Sequence, residues 1–321
     1  MTTAKDSDDC SYALMFPGQG SQFAGMGHDL VREFAGAREI FQKADDLLGF
    51  ALSRVMAGER GDELNRTIYT QPATFVHSMA LWHVLQEHYP LAPVIAAGHS
   101  VGEFCALVAS GMLGFAQALE LIKVRAEGMD QAQPAGTCGM AAIIGLPEER
   151  VLDLVLAHRG EDVLDAANFN APDQVVVSGH LPALDRIMAA VKTEKRTRTV
   201  MLPVSSAFHT SLMEPARGKL EEALHDVTLG DAQFPVVSNV TGATYPRSAD
   251  ECRQLIVEQV VKPVRWTACV QTMRQAAPAT RFLEVGPGKV LTGLLRRIDK
   301  TAQGINISDT SGIRALAEAA P

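Results

Sequence analysis

The pentapeptide Gly98-His99-Ser100-Val101-Gly102 reads G-x-S-x-G. It sits where the apolar run Pro93-Val94-Ile95-Ala96-Ala97 gives way to a helical pattern beginning at Glu103. A chain that passes from strand to helix within so few residues has to turn sharply. The residue at the turn is forced into a strained backbone conformation that lifts its side chain clear, and glycines two residues to either side make room for it. Such a turn presents Ser100 as a candidate nucleophile, with the free N–H groups of the following helix directed at it. The bare pattern arises by chance in roughly one chain in ten of this length, so the strand-to-helix setting is what gives it meaning.

Elsewhere short apolar runs alternate with longer helical patterns, the rhythm of an α/β fold. A strand is expected at Tyr12 to Phe16, helices around residues 36–49 and 72–88, and a strand at 93–97. In the second helix Gln71-Pro72 places proline in the first turn, and Phe75, Met79, Leu81, Trp82 and Leu85 form an apolar face. From about 135 the order becomes β-α-β-β-α-β: strand 140–144, helix 148–159, strands 163–167 and 174–178, helix 182–192, strand 199–203. That is the order of a ferredoxin-like unit, which can close on itself as a small subdomain inserted into a larger fold. A strand at 234–238, a helix at 250–261, a strand at 281–285 and a helix at 290–298 then return to the first pattern. Residues 1–134 and 206–321 are therefore expected to form one large α/β domain, with 135–205 as the insert.

With 321 residues, 47% of them hydrophobic, the chain can bury a core without covalent staples. Cys10, Cys105, Cys138, Cys252 and Cys269 lack C-x-x-C spacing, which points away from a disulfide framework or a zinc cluster and fits a reducing cytoplasm. The first residues, MTTAKDSDDC, are polar and acidic, and no apolar stretch approaches the length of a membrane span, so neither secretion nor insertion is expected. A net charge of −8 argues against general nucleic-acid binding, although Lys192, Lys195, Arg196 and Arg198 form a local basic cluster.

A serine hydroxyl needs a base within hydrogen-bond reach, and histidine is the usual one. Of nine histidines, His77, His83 and His88 fall in a helical pattern and read as surface or core-edge residues; His28, His158, His180 and His225 have polar or helix-flanking settings. His209 differs. It lies in Pro203-Val204-Ser205-Ser206-Ala207-Phe208-His209-Thr210, the loop after the last strand of the insert, where functional residues concentrate. It is either the base or a loop histidine with only local hydrogen bonds. A second glycine-rich turn, Phe16-Pro17-Gly18-Gln19-Gly20-Ser21-Gln22, lacks the third glycine of a dinucleotide fingerprint. Its backbone could instead approach a reacting carbonyl, giving an oxyanion hole from the N–H groups of Gln19 and Val101. Gly286-Pro287-Gly288-Lys289 fails as a phosphate loop and reads as a tight turn capping a helix. Arg125, in an otherwise apolar helix, either runs its stem out to solvent or offers a fork to a substrate carboxylate.

Together these segments resemble the family of malonyl-CoA:acyl carrier protein transacylases and the related acyltransferase domains of polyketide synthases. The likeness extends over nearly the whole chain. It is carried by Phe16 to Gln22, Gly98 to Glu103, Arg125, Ala167-Asn168-Phe169-Asn170, Ser206-Ala207-Phe208-His209, Gln259-Val260-Val261-Lys262-Pro263-Val264 and Glu284-Val285-Gly286-Pro287-Gly288. The resemblance implies that Ser100 accepts the acyl group, His209 is its base, and Gln19 with Val101 forms the oxyanion hole. Arg125 would bind the malonyl carboxylate, and a backbone carbonyl near the position matched by Gln259 would orient His209. It further implies that Asn168 lines the site and that Phe208 is the malonyl-selective form of its motif. The implied fold is an α/β-hydrolase-like domain carrying a ferredoxin-like insert. Malonyl-CoA and acyl carrier protein would be the partners, with no metal or bound cofactor and a monomeric chain. The Lys192–Arg198 cluster would suit an acidic carrier protein.

Two other readings stay open at this level. A serine esterase or thioesterase shares the pentapeptide and would take Asp165, Asp173 or Asp185 as its third member, all inside the insert and all preceding His209. A scaffold that docks carrier protein without turnover would not need Ser100, His209 and Arg125 together. Within the acyltransferase reading, fatty-acid synthesis is the first expectation and a free-standing polyketide acyltransferase the alternative.

Overall fold

In this computed structural model, which describes residues 11–89, 91–204, 206–277 and 281–319, the chain builds two sheets. Cys10 with the rest of the leading decapeptide, and Ser205, lie outside the described residues. The strands in chain order are β1 (Tyr12–Phe16), β2 (Pro93–Gly98), β3 (Cys138–Ile144), β4 (Leu164–Ala171), β5 (Gln174–His180), β6 (Arg198–Met201), β7 (Val236–Val237), β8 (Arg281–Val285) and β9 (Gly304–Ile307).

The first sheet has the order β7-β2-β1-β8-β9 with every neighbouring pair parallel. Parallel strands are covered on both faces and so read as unbroken apolar runs rather than alternating ones. All five residues of β1 are buried. Leu14 and Phe16 join the large core on one face, while Ala13 and Met15 join a second core with Ile95, Ala97, Phe282 and Trp266 on the other. The helix Thr67–His88 lies within the first of these cores and is buried nearly all round. It begins five residues earlier than Pro72 suggests. The proline sits in the second turn, where it removes the N–H that would bond the Ile68 carbonyl, and its surroundings hold the helix together regardless. His77 on this helix is wholly buried, not a core-edge residue.

The second sheet has the order β4-β5-β3-β6 with every neighbouring pair antiparallel. Helices Glu148–His158 and Leu181–Val191 cover one face through Val151, Leu154, Leu184 and Ile187, giving this segment its own apolar core. The element order from 138 to 201 is the expected β-α-β-β-α-β, although β4 runs on to Ala171 and so includes Asn168 and Asn170. Two backbone hydrogen bonds join this sheet to the segment just before helix Trp266–Ala276. Phe169 N–H donates to the Val264 carbonyl and Val264 N–H to the Ala167 carbonyl, each at 2.9 Å.

Helix Ala249–Glu258 stops three residues short of the expected 261. The strand expected at 234–238 shrinks to Val236–Val237, an edge strand of the sheet beside β2, with an isolated bridge from Val237 to Thr244 on its other side. After β8, the buried Glu284 carboxylate takes the N–H groups of Leu291 and Thr292 at 2.8 Å each, so the turn through Gly286 and Gly288 does cap helix Val290–Ile298. Among the described residues no helix is long and apolar enough to cross a membrane.

Three glycines let the strand ends meet. A Cβ on Gly98 would run into the carbonyl of Gly102, one on Gly102 into that of Phe16, and one on Gly18 into that of His99. Gly218, on an exposed stretch of helix Glu214–Leu224, has open space around it. Denaturant unfolding is expected to show Gly102→Ala destabilised by about 3 kcal/mol, the upper range for overpacking a rigid site. Gly218→Ala should instead stabilise the chain by roughly 0.5–1 kcal/mol through helix propensity.

Candidate active site

Open parallel sheets bind ligands beyond the C-terminal ends of their strands, and here β1 runs into Gln19, β2 into Ser100 and β7 into Asn239. Ser100 has a φ of 52° and His209 a φ of 60°, both in the left-handed region that costs a non-glycine residue about 1–3 kcal/mol. Hydrogen bonds hold the serine there. Its N–H donates to Asn239 Oδ1 at 2.8 Å, its carbonyl accepts from Gln259 Nε2 at 2.8 Å, and Asn239 Nδ2 donates to the Gly98 carbonyl at 2.7 Å.

Ser100 Oγ lies 2.8 Å from His209 Nε2, and His209 Nδ1 lies 2.8 Å from the Gln259 carbonyl oxygen. A carbonyl only accepts, so Nδ1 carries the proton and Nε2 is free to take the one on Ser100. The orienting carbonyl is available because helix Ala249–Glu258 ends there: carbonyls of a last turn lack intrahelical partners, and a helix C-terminus carries partial negative charge. Asp165 pairs with Arg159, Asp173 with Arg297, and Asp185 is exposed. No Ser-His-Asp triad is assembled from the three aspartates the hydrolase reading required.

Arg125 does not run out to solvent. It is 1% exposed, on helix Phe115–Gln131, and its guanidinium donates to Gln71 Oε1, to Gln259 Oε1 at 3.0 Å and to Ser100 Oγ at 3.0 Å. Every one of these partners is neutral, and Arg125 Nε has no partner among the described residues. Burial lowers the Arg125 pKa to about 10, still far above neutrality, so the site holds a cation with no anion bonded to it. Burial and then the Arg125 charge push His209 down to about 3, which keeps the imidazole neutral. Glu103 is raised to about 7 by burial, against the pull of Tyr245, Gln259, Asn239 and Arg125. Burial and the Glu103 charge hold Tyr245 well above its usual value, so its phenol remains a donor.

The N–H groups of Val101 and Gln19 have no protein acceptor among the described residues. The Gln19 side chain is tied back by Thr67 Oγ1 at 2.9 Å, and Gln71 Nε2 donates to the same Thr67 oxygen at 2.9 Å. A cavity of about 220 Å³ is lined by Gln19, His99, Asn168, Asn170, Val176 and Leu291, with His99 Nε2 bonded to Asn170 Oδ1 at 2.8 Å. A second, of about 380 Å³, is lined by Gln19, Arg66, Thr67, Asp130 and Phe208, and shares the 202–204 stretch with the first. The structure thus brings Ser100, His209, Gln259 and Arg125 into one bonded cluster, while Gln19, Asn168 and Phe208 line the two cavities. The sequence reading missed Asn239, Glu103 and Gln71. Asn239 follows the end of a parallel strand, the one positional signal that could have found it, and Glu103 immediately follows the pentapeptide.

Residues 13–312 match the acyl transferase domain family. The chain belongs to that family. It is 40% identical over 307 residues to a malonyl CoA-acyl carrier protein transacylase of Escherichia coli O157:H7, covering 96% of this chain and 99% of the relative. Among solved structures, the malonyl-CoA:acyl carrier protein transacylase of Xanthomonas oryzae superposes with a TM-score of 0.92 at 38% identity, over 97% of this chain and 98% of that one. A malonyl-transacylase in complex with a type II polyketide-synthase acyl-carrier protein superposes equally well, with a TM-score of 0.92 at 39% identity over 96% and 99% of the two chains. This member of the acyl transferase family shares with these relatives a parallel sheet and a separate antiparallel one.

The buried histidines set the response to acid. Burial lowers His77 to about 4 and His209 to about 3, and lowers His99 as well, so below 6.5 the unfolded chain binds protons that the folded chain does not. Their contribution is present above 6.5 and lost as the pH falls. Glu103, raised to about 7 from 4.5, acts in the opposite sense: its folded form keeps a proton that the unfolded chain releases, so its contribution is lost as the pH rises from 4.5 to 7. Three histidines outweigh it. The melting temperature should fall between pH 6.5 and 4.5, and calorimetry of His209→Asn should show a shallower fall.

Proposed function

We propose that the chain transfers a malonyl group from malonyl-CoA to the phosphopantetheine thiol of an acyl carrier protein, through a malonyl ester on Ser100, in fatty-acid biosynthesis. The observation that carries the reading is Arg125. A buried cation left with neutral partners is costly unless a ligand supplies the missing anion. Its guanidinium touches the nucleophile itself, so the anion belongs on the acyl group that Ser100 receives. A malonyl chain has its carboxylate two carbons from the acyl carbon, which suits a fork 3.0 Å from Oγ.

The chemistry follows from the geometry. Ser100 Oγ attacks the thioester carbonyl while its proton passes to His209 Nε2, and the oxyanion is held by the Val101 and Gln19 N–H groups. Collapse expels the coenzyme A thiolate, which takes the proton back from His209. The carrier thiol repeats the sequence in reverse roles and leaves with the malonyl group. An imidazolium beside Arg125 is costly in the empty site; a malonyl carboxylate on the guanidinium cancels that charge, so the substrate itself raises the basicity of His209. Gln259 orients the base through its main chain, Asn168 lines the site, and Phe208 narrows one approach in favour of malonyl over branched acyl groups.

The same site would serve a polyketide pathway, and the similarity to a malonyl-transacylase bound to a polyketide carrier keeps that second reading. The exposed Lys192, Lys195, Arg196 and Arg198 offer an acidic carrier protein its landing face. Residues 1–134 and 206–321 read as an α/β-hydrolase-like catalytic domain and 135–205 as a ferredoxin-like insert, a reading supported by the all-parallel order of one sheet and the β4-β5-β3-β6 order of the other.

Mass spectrometry after incubation with malonyl-CoA should find a malonyl adduct on Ser100 that Ser100→Ala lacks, and no adduct would sink the reading. In transfer assays Arg125→Ala should lower the malonyl-to-acetyl ratio of kcat/KM by on the order of 10- to 100-fold, the range for a hydrogen bond to a charged group. Equal loss with both donors would refute the carboxylate clamp.

A further inference from the structure

The transfer chemistry above gives Glu103 no part, yet this carboxylate is 2% exposed and tied into the site from three sides. Its Oε1 accepts from the Tyr245 hydroxyl at 2.5 Å, both oxygens lie 3.3 Å from the Asn239 N–H, and Oε2 accepts from Gln259 Nε2 at 2.8 Å. The second hydrogen on that nitrogen goes to the Ser100 carbonyl, which leaves Gln259 Oε1 facing Arg125 Nη2 at 3.0 Å. Resting on the malonyl-transfer reading, we infer that Glu103 is a positioning residue that sets the acyl preference of the site by holding the Gln259 amide with its oxygen toward Arg125.

The reason lies in what the reversed amide would meet. Turned over, Gln259 would set its oxygen against the Glu103 carboxylate and the Ser100 carbonyl, and its NH₂ against the guanidinium: acceptor on acceptor at one end and donor on donor at the other. In its carboxylate form Glu103 only accepts, and that form therefore allows one orientation. With the oxygen toward Arg125, the guanidinium is anchored by Gln259 on one nitrogen and Gln71 on the other, and its fork stays aimed past Ser100 Oγ. A glutamine at 103 could present either its oxygen or its NH₂, and the orientation would no longer be enforced. Arg125 would then lose an anchor while remaining charged and buried, and an anionic acyl group would feel the change more than a neutral one.

The test uses the full chain with malonyl-CoA and acetyl-CoA as donors and a carrier-protein thiol as acceptor. Glu103→Gln is expected to raise KM for malonyl-CoA and to lower the malonyl-to-acetyl ratio of kcat/KM about tenfold, the scale of one misdirected hydrogen bond to a charged group. Adding Glu103→Gln to Arg125→Ala should leave the ratio where Arg125→Ala alone puts it. Equal losses with both donors, or the same further fall in ratio when Arg125 is absent, would mark a merely structural residue and overturn the inference. Should Glu103→Gln fail to fold, Tyr245→Phe removes a donor that favours the carboxylate over the acid, whose O–H could donate to a reversed Gln259 oxygen; the ratio should fall in the same direction, and an unchanged ratio overturns the inference. A wild-type chain that forms no malonyl-serine overturns the transfer reading and this inference together. Malonyl-serine in the wild type with an unchanged ratio in the variants overturns the inference alone.

Discussion

Everything at this site depends on how closely three stretches of backbone approach one another. Gly18, Gly98 and Gly102 each face a carbonyl where a methyl group would not fit, and through them the end of β1, the turn after β2 and the first turn of the next helix share one small volume. That contact fixes where Ser100 emerges and aligns the Gln19 loop with the Val101 amide. The serine's left-handed conformation follows from it, and Asn239 and Gln259 hold the strained peptide by its N–H and its carbonyl. The strain of the turn is therefore borne by side chains from elements that also shape the rest of the site.

The electrostatics is built around an absence of direct pairing. Arg125 keeps its charge in the interior with only amides and a hydroxyl for company, and Glu103 is kept one amide away from it by Gln259. A bonded carboxylate on Arg125 would have satisfied the guanidinium; without one, its charge stays open to the acyl carboxylate proposed above. For the same reason an aspartate behind His209 would be out of place, since a helix-end carbonyl orients the ring without adding a full charge beside the guanidinium.

Element order and the serine turn were legible in the sequence because each is written locally, in apolar runs and glycine spacing. His209 stood out by its place after the last strand of the antiparallel segment, and Arg125 only as an arginine among apolar neighbours. Gln259 was visible only through family likeness, because its contribution to the base is a main-chain carbonyl and no side-chain type announces that. Asn239 and Glu103 bond across 136 residues, and Arg125 and Gln71 across 54, separations no periodicity encodes. Pro72 misled for a different reason: proline marks helix starts where a helix must stand on its own preferences, and this one is buried nearly all round, so packing overrides them.

The two backbone hydrogen bonds between β4 and Val264 tie the antiparallel sheet to the segment that follows Gln259. Swinging that sheet away would break a pair of bonds of about 1 kcal/mol each, and would pull on the stretch of chain whose carbonyl steers His209. The walls of the cleft and the alignment of the base are thus one mechanical unit. A cleft of that kind suits reactants that bring their sulfur in on a long, thin arm, which can thread to the serine while the walls stay where they are.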